Sequence, residues 1–591
     1  MVRFVTLTVL GALLAAVSLG ADAPPAPLDA RRKALNDLLA EQWEYTLSTN
    51  PEFASIIGDK RWNDKSSDTS LAAIEKDLAK SAAFLKRFEA IDTSGFPEQE
   101  QLNKTLMVRQ LEEGLEGAKF KGWEMPVTQI SGLHIQAPQF VNYLAFDTTK
   151  DYDDYLTRLK NLPKQLDDTM DHMRRGMADG LMPPKFLLEK VVPQAETIAK
   201  ADPEKSPFAL CLSKFPKTVS PEDQKRIHDA LVATIRDSIE PEYVKFAKFV
   251  KDDYAPKGRT EVGLWSLPDG AARYAFRVKE STTTDMTPEE IHQLGLREVA
   301  RIEGEMEKIA KKMGYADRKA FDAAIEKDPK LHAHSRQEIV DLYSKYITAM
   351  WAKLPQMFGR LPKAKVEVKP TEAFREKDAA GAEYNTGTPD GSRPGVVNVN
   401  TGDFEKRKII NIETTAYHEG VPGHHMQLSI AQELPTIPPF RQQGGNTAYV
   451  EGWALYAEDL GRDAGFFQDP YQLYGHYQDE MLRAIRLVVD TGLHYKKWTR
   501  PQVVDFFHAH SGSDEVEVQS ETDRYISWPA QALGYKIGQL TILALREKAK
   551  KELGEKFDIR KFHDEVLGAG ALPMDVLQTR IDAWIAAQKA A

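Results

Sequence analysis

The segment that decides the fold reads Ile412-Glu413-Thr414-Thr415-Ala416-Tyr417-His418-Glu419-Gly420-Val421-Pro422-Gly423-His424-His425. It begins like the zinc-protease pattern His-Glu-x-x-His, in which two histidines one helical turn apart bind zinc and the glutamate acts as general base. Position 422 is proline, however, where that pattern requires its second histidine. The chemistry therefore has to be worked out from the residues that are present.

The proline–glycine step predicts an interrupted helix. In a regular helix His418 and His424 would lie about 9 Å apart along the axis and point to different sides. Pro422 lacks the N–H that would bond the carbonyl of His418, and Gly423 permits backbone angles that other residues avoid. We therefore expect a turn that brings His424 back toward His418. The competing ligand is His425, which we expect instead to contact the substrate or support the ligands.

A second segment, Thr447–Glu458, supplies the third ligand. It is nearly apolar except for Glu451 and Glu458, which are seven residues apart and hence share one helix face. A carboxylate on a buried helix needs a partner charge or a metal. We predict that Glu451 binds the metal and that Glu458 orients a ligand histidine. Two histidines and one glutamate leave a position open for water, as in catalytic zinc sites.

This ligand set predicts a hydrolytic centre with one zinc ion. Zinc brings the pKa of a bound water to about 7, and Glu419 would take the proton of that water and pass it to the leaving amine. The developing oxyanion needs a hydrogen-bond donor beside the metal. The candidate donors are Tyr535, Tyr525, Arg524 and His494. His494 ends a polar stripe on an otherwise apolar helix, and such a stripe lines a cleft or forms an ion network.

The whole chain predicts a mainly α fold: a large helical body with a central cleft and a small β-sheet. Helical periodicity fills an N-terminal part, about 28–255, and most of a metal-site part, about 256–591, of one α-rich domain spanning 24–591. Two stretches break it. The alternation in 263–279, with a turn signal at Pro268-Asp269-Gly270, predicts a hairpin. Strand character in 365–400 predicts the sheet, with an exposed loop whose edge faces a peptide substrate.

The first 23 residues have the pattern of a secretory signal. Arg3 precedes an apolar run from Phe4 to Leu19, and small residues follow. The run is shorter than the about 20 residues that span a membrane, and no cysteine lies near the cleavage site to carry a lipid. No later stretch reaches spanning length. We therefore expect an exported protein, periplasmic or extracellular, with no stable membrane insertion after the signal is removed.

Composition excludes several functional classes. The chain has 78 Lys and Arg against 88 Asp and Glu, a formal net charge of −10, without a basic cluster. This argues against nucleic-acid partners and against binding to anionic lipid surfaces. Cys211 is the only cysteine, so an internal disulfide and a cysteine-based metal cluster are impossible.

At these motifs the chain resembles the domain-of-unknown-function 885 family of bacterial, often exported, proteins. The resemblance rests on the run from His418 to His425, on Glu451-Gly452-Trp453-Ala454-Leu455-Tyr456-Ala457-Glu458, on Arg524-Tyr525 with Pro529, and on Tyr535-Lys536-Ile537-Gly538. It implies a helical fold similar to the larger helical-cleft zinc peptidases and a metallopeptidase-like role. In that family the second motif histidine precedes a variable position, which favours His424 over His425.

The residues and the resemblance together predict a zinc-dependent hydrolase of amide bonds, acting on short peptides. Two alternatives remain open at this point. One keeps the hydrolytic centre for a non-peptide amide or an ester, because the same zinc chemistry serves both. The other is a non-catalytic metal-binding or peptide-binding protein. The sequence leaves the oligomeric state undetermined.

Overall fold

The computed structural model describes residues 27–371, 376, 380–387, 394–435 and 437–590. The described chain is mainly α-helical, as predicted. The predicted signal, 1–23, lies outside the described residues. The helices of the N-terminal part are α1 (Leu28–Thr49), α2 (Pro51–Ile56), α3 (Leu71–Glu89), α4 (Glu98–Ala118), α5 (Leu133–Gln139), α6 (Thr149–Asp179), α7 (Lys185–Ala199), α8 (Pro221–Thr234) and α9 (Glu240–Phe249).

The metal-site part continues with a longer series of helices. These are α10 (Gly270–Thr282), α11 (Pro288–Lys312), α12 (Arg318–Lys327), α13 (Arg336–Trp351), α14 (Leu354–Met357), α15 (Ile412–Glu419), α16 (His424–Gln432), α17 (Pro439–Gln442), α18 (Thr447–Asp463), α19 (Pro470–His494), α20 (Arg500–His510), α21 (Glu515–Ser527), α22 (Leu533–Leu553), α23 (Ile559–Leu567) and α24 (Met574–Ala590). Short turns of 3-10 and π helix join several of them.

Two long helices, α18 and α19, start at well-defined caps. The side chain of Asn446 accepts a hydrogen bond from the backbone N–H of Tyr449 at 2.9 Å, which begins α18. Asp469 caps α19 in the same way, and Pro470 follows at its first position. Caps of this kind satisfy N–H groups that the helix leaves without partners. They fix where each helix begins, and therefore which of its side chains face the site.

The metal-site part is built around a core that surrounds α15, α16 and α18. Its fully buried members include Tyr417, Met426 and Trp453. Helices α18 and α22 approach so closely that a Cβ on Gly452 would lie 2.4 Å from Cα of Gly538. The N-terminal part has a separate core between α6, α7 and α9. The two parts are joined by contacts such as the ion pair of Arg109 with Asp575 at 2.7 Å.

The predicted small sheet is present. Strands β1 (Val366–Pro370), β2 (Ala382–Asn385) and β3 (Gly395–Val399) lie in the order β1-β3-β2. β1 runs parallel to β3, and β2 runs antiparallel to it, with Tyr384 opposite Val397. Most of the predicted exposed loop, residues 388–393, lies outside the described residues.

The predicted hairpin in 263–279 is wrong. A short 3-10 turn occupies Leu264–Ser266, and α10 begins at Gly270. The buried residues of α10 include Gly270, Arg273, Tyr274 and Val278, which follow helical spacing. One member of this buried face is Arg273, which a search for apolar residues leaves out. The remaining apolar residues then alternate with polar ones as they would in a strand, which produced the hairpin prediction.

None of the described helices combines the length and the apolar character needed to cross a bilayer.

Candidate metal centre

The chain turns sharply between α15 and α16. The N–H of Gly423 donates to the carbonyl of Tyr417 at 3.0 Å, and a Cβ at this position would lie 1.9 Å from the carbonyl oxygen of His418. Only glycine fits there. The indole of Trp453, on α18, donates to the carbonyl of Pro422 at 2.8 Å. The peptide bond before this proline is cis. The predicted interruption of the helix is therefore present, and it is fastened to α18.

This turn brings His424 beside His418. The two rings are 4.8 Å apart between centroids and nearly perpendicular. Oε2 of Glu451 lies 3.6 Å from Nε2 of His418 and 3.4 Å from Nε2 of His424. One ligand atom from each of the three residues lies within 4.8 Å of the others. The structure thus brings together the three residues that the sequence proposed as ligands.

The distances between Glu451 and the two histidines suit a cation with tetrahedral coordination. Zinc bonds of about 2.0–2.1 Å to nitrogen and oxygen place neighbouring ligand atoms about 3.3–3.4 Å apart in a tetrahedron. The separations of 3.4 and 3.6 Å match this geometry and are at or beyond the upper limit of a hydrogen bond. The side chains of His418, His424 and Glu451 are only 5%, 12% and 21% exposed. The donor set therefore fits zinc.

Glu458 orients His418, as the sequence predicted. Nδ1 of His418 donates to Oε1 of Glu458 at 2.7 Å, which turns Nε2 toward the other donors. The second oxygen of Glu458 accepts a hydrogen bond from the hydroxyl of Thr414 at 2.9 Å. Arg483, on α19, lies 3.9 Å from the same carboxylate. A carboxylate behind a ligand histidine fixes its tautomer and raises its basicity.

The electrostatic field of the site favours a cation. Burial alone would lower the pKa of His418, yet the neighbouring carboxylates of Glu451 and Glu458 raise that pKa to about 10. Burial would raise the pKa of Glu451, but the two histidines lower it well below its usual value. The surroundings therefore favour a positive charge at His418 and a negative charge on Glu451, and a divalent cation between them would supply that positive charge.

Glu419 ends α15 immediately after His418. Burial raises its pKa above the usual glutamate value, while the positive charges of His418 and His424 oppose that shift. The charge of Glu451 adds to the increase. A glutamate whose pKa moves toward neutrality is suited to accept and return a proton.

His425 faces away from the proposed ligands. Its Nδ1 lies 2.9 Å from the hydroxyl of Tyr384 in β2, and its Nε2 lies 3.2 Å from the carbonyl of Ala364. Burial lowers its pKa to about 4. These contacts attach the small sheet to α16, so His424 and not its neighbour reaches the site.

Of the four candidate oxyanion donors, Tyr535 lies near enough to the proposed ligand Glu451 to interact with its charge. Burial and the charge of Glu451 raise the pKa of Tyr535, whereas Arg486 and Arg524 oppose the increase. The guanidinium of Arg486 lies over the Tyr535 ring at 4.6 Å. Arg524 itself is bound to Glu521 at 3.0 Å and to the amide oxygen of Gln531 at 2.7 Å.

The other two candidates have fixed structural partners. His494 accepts a hydrogen bond from the N–H of Leu264 and donates to the carbonyl of Tyr525, both at 3.0 Å. Neither ring nitrogen is available to a substrate. The hydroxyl of Tyr525 is shared between Arg486 and Glu521. The structure does not bring His494 to the proposed metal site, because the backbone of Leu264 and of Tyr525 uses both of its ring nitrogens. The sequence alone could not show which backbone groups face this end of α19.

A cavity of about 500 Å³ is lined by residues of α15 and α19, although neither Glu419 nor a proposed ligand is among its described lining residues. Thr415 in its wall is one turn before Glu419 on α15, and Asp479 is one turn before Arg483 on α19. The hydroxyl of Thr415 lies 3.4 Å from the carboxylate of Asp479, which joins the two walls. This pair was not predicted from the sequence, although helical spacing from Glu419 gives a signal for Thr415.

Comparison with known proteins supplies relatives but no established activity. A crystal structure titled as a "putative lipoprotein" from Colwellia psychrerythraea is similar at 29% identity with a TM-score of 0.89, covering 94% of this chain and 99% of that one. A "putative lipoprotein of unknown function" from Shewanella oneidensis shares the fold at 19% identity, TM-score 0.67 and the same coverage. No match was found among curated proteins. The family model described as bacterial protein of unknown function (DUF885) matches residues 51–581, and the chain belongs to that family.

Proposed function

We propose that this protein is an exported, zinc-dependent hydrolase of amide bonds that acts on short peptides. The observation that carries the proposal is the convergence of His418, His424 and Glu451 beside Glu419. Two histidines and one carboxylate leave a fourth position open, which distinguishes catalytic zinc sites from structural ones. A purely structural site has no use for an enclosed glutamate next to its first ligand.

A zinc ion bound there would polarise the scissile carbonyl and bring the pKa of a bound water to about 7. Glu419 accepts a proton from the attacking water and delivers it to the leaving nitrogen. Its raised pKa supports the first step, because it makes the carboxylate a stronger base than an ordinary glutamate, and the protonated form is still acidic enough to protonate a leaving amine. Glu458 keeps the Nε2 lone pair of His418 directed into the site.

Tyr535 is the oxyanion donor that best fits this arrangement. Its hydroxyl lies within the field of Glu451, and the cation of Arg486 is held against its ring. Arg486 is in turn fixed by Glu521 at 3.1 Å. A donor held by such a network stabilises developing negative charge without reorganising during the reaction.

The cavity lined by α15 and α19 supports a peptide substrate. Its volume lies within the range of ligand pockets, about 300–1,000 Å³. Its wall carries Asp479 and Glu517, whose pKa values burial raises, together with Arg407, whose pKa burial lowers. Carboxylates and a guanidinium in one enclosed space complement the ammonium and carboxylate ends of a short peptide.

Export is part of the proposal. The two solved relatives bear titles that describe them as lipoproteins, and the sequence of this chain begins with a secretory pattern. We expect the protein to bind its substrate in the periplasm or outside the cell.

The decisive experiment replaces Glu419 by Gln in purified, zinc-loaded protein and measures turnover of a short-peptide library. We expect the rate to fall about 10²–10⁴-fold while one zinc ion per chain is retained, because the variant loses the base but no ligand. Glu547→Gln, on the exposed side of α22, is the matched control and should be fully active. Unchanged turnover in Glu419→Gln would refute the general-base role.

The same screen separates the alternatives. Turnover of ester or non-peptide amide substrates, with none of the peptides, would move the proposal to another substrate class with the same centre. Bound zinc with no turnover of any substrate would identify a binding protein instead.

A further inference from the structure

A second, smaller cavity of about 160 Å³ lies where the N-terminal part meets the metal-site part. Its wall is formed by the end of α4, by α10 and by the chain that follows α21. Three arginines line it, Arg259, Arg273 and Arg277, and the described lining residues include no aspartate or glutamate. We refer to this cavity as the arginine pocket.

Arg259 is held in place entirely by neutral acceptors. Its Nε donates to the carbonyl of Met182 at 2.9 Å, and its Nη1 donates to the carbonyls of Glu261 and Gly263. It forms no ion pair with a carboxylate in the described part of the chain, and its Nη2 donates to none of the described groups. Burial lowers its pKa to about 10, which shows that its charge is poorly compensated.

Arg273 repeats this arrangement from the opposite wall. Its Nε donates to the carbonyl of Pro268 at 2.7 Å and its Nη1 to the carbonyl of Phe120. It too lacks a carboxylate partner within 4 Å among the residues described, and its Nη2 stays without an acceptor there. Arg277, one turn along α10, pairs among the described residues only with the half-exposed Glu280 at 2.7 Å. Burial lowers the pKa of Arg273, the charges of Asp269 and Glu124 oppose that shift, and repulsion by Arg277 adds to it.

We propose that the arginine pocket binds a small tetrahedral oxyanion of the inorganic phosphate type. Three guanidinium groups from two segments line one cavity, and Glu280 is their only ion-pair partner within 4 Å among the described residues. Glu261, Asp269 and Glu124 act on Arg259 and Arg273 only from a greater distance, so an anion in the cavity would pair charges that these carboxylates leave without a direct contact. Buried charges are stable only when they are paired, and guanidinium groups match anionic oxygens in geometry as well as charge.

The size and the donors select the shape of the ligand. The cavity is smaller than the about 300 Å³ at which ligand pockets for larger molecules begin, so a nucleotide is too large. Each of Arg259 and Arg273 offers one terminal nitrogen, and Arg277 offers a third. Three donors from separate side chains suit an anion with three or more oxygens better than a planar carboxylate with two.

Isothermal titration calorimetry with inorganic phosphate tests the proposal on the full mature chain. Phosphate also binds zinc, so the titration is repeated with His424→Ala to isolate the second site. We expect saturable binding of one phosphate in that variant, and a loss of affinity of about ten-fold in Arg277→Gln, the expected effect of one charge-assisted hydrogen bond. Arg273→Gln should lose at least as much.

Controls distinguish the arginine pocket from general charge effects. Arg236→Gln removes an exposed arginine on another part of the surface and should leave phosphate binding unchanged. Arg277→Lys should lose less affinity than Arg277→Gln because it retains the charge. Circular dichroism establishes that each variant is folded, and the exposure of Arg277 makes its variants the safest to compare.

Three outcomes would overturn the proposal. These are absence of saturable binding in His424→Ala, equal affinity in Arg277→Gln and wild type, and tighter binding of malonate than of phosphate or sulfate. The last would assign the site to carboxylates. None of these outcomes depends on hydrolytic activity, so the test is independent of the proposed function.

Discussion

Two regions of this molecule bury histidines in opposite surroundings. At the candidate metal centre, His418 lies between the carboxylates of Glu451 and Glu458, which raise its pKa to about 10. At the junction of α10, α19 and α21, burial lowers the pKa of His494 to about 3. His563 resembles the second case, with Nδ1 donating to the carbonyl of Met357 at 2.8 Å and Nε2 accepting from the hydroxyl of Tyr456 at 2.7 Å.

The partners of the two ring nitrogens distinguish a candidate ligand histidine from a structural one. In His494 and His563 neutral groups use both ring nitrogens, so the ring is a buried connector. In His418 a carboxylate uses one nitrogen and the other points at a second carboxylate that is too distant for a good hydrogen bond. Burial alone does not distinguish them, because all three rings are enclosed.

The largest effect is expected when the two neighbouring histidines that follow the turn are replaced one at a time. His424→Ala removes one of three proposed ligands, whereas His425→Ala removes a ring that contacts the sheet. Four-ligand zinc sites bind with about 10–16 kcal/mol, so one ligand contributes roughly 3 kcal/mol, and we expect zinc affinity to fall more than about 100-fold in His424→Ala. Competitive titration with a chelator measures it. Equal losses in the two variants would contradict the assignment.

A smaller effect is expected from the carboxylate behind the ligand. Glu458→Gln keeps an acceptor for Nδ1 of His418 but removes the charge, and changes of this kind lower metal affinity about 10–100-fold. Asp463→Asn, at the far end of α18 and paired with Arg546, is the control. The same zinc titration should show no change for that variant. A zinc affinity of wild-type strength in Glu458→Gln would mean that the orientation of His418 is set by packing alone.

The smallest effect on the site is expected at His494. His494→Gln should leave zinc affinity unchanged and lower the free energy of unfolding at pH 7 by about 1–3 kcal/mol, because buried hydrogen-bonding groups lose a partner. Urea unfolding measures this. A loss of zinc binding without a loss of stability would instead place His494 in the site.

The pH dependence of stability tests whether His494 is neutral in the folded protein. The folded pKa of His494 is about 3, below the unfolded value of about 6.5, so its neutral form stabilises the fold above pH 6.5 and this contribution is lost as the pH falls. Between pH 7 and pH 5 the difference in stability between wild type and His494→Gln should narrow by about 2 kcal/mol. A constant difference across this range would show that His494 titrates normally in the folded protein.

Much of the candidate metal centre was predictable because its geometry depends on local rules. Proline removes a helical hydrogen bond, so the interruption after Glu419 follows from Pro422 itself. The spacing of Glu451 and Glu458 on an apolar helix placed both on one face, and the structure shows both contacting His418. The small sheet followed from its β-branched residues.

The remaining features depend on contacts between distant segments. The direction of His494 is set by the backbone of Leu264, which is 230 residues earlier in the chain. Arg273 lies on the buried face of α10 because the carbonyls of Pro268 and Phe120 accept its hydrogen bonds. Since a charged residue occupies a buried position, the apolar residues of this segment do not show helical spacing. No local rule predicts which distant carbonyls will surround a charged side chain.

The contact of α18 with α22 at Gly452 and Gly538 has a consequence for how the site tolerates change. A methyl group on Gly538 would collide with the carbonyl of Ala448 at 1.8 Å, so main chain touches main chain there. Glu451 is adjacent to this contact on one helix, and Tyr535 is one turn away on the other. The spacing between these two groups is consequently set by contact between the two backbones and not by the size of the surrounding core side chains.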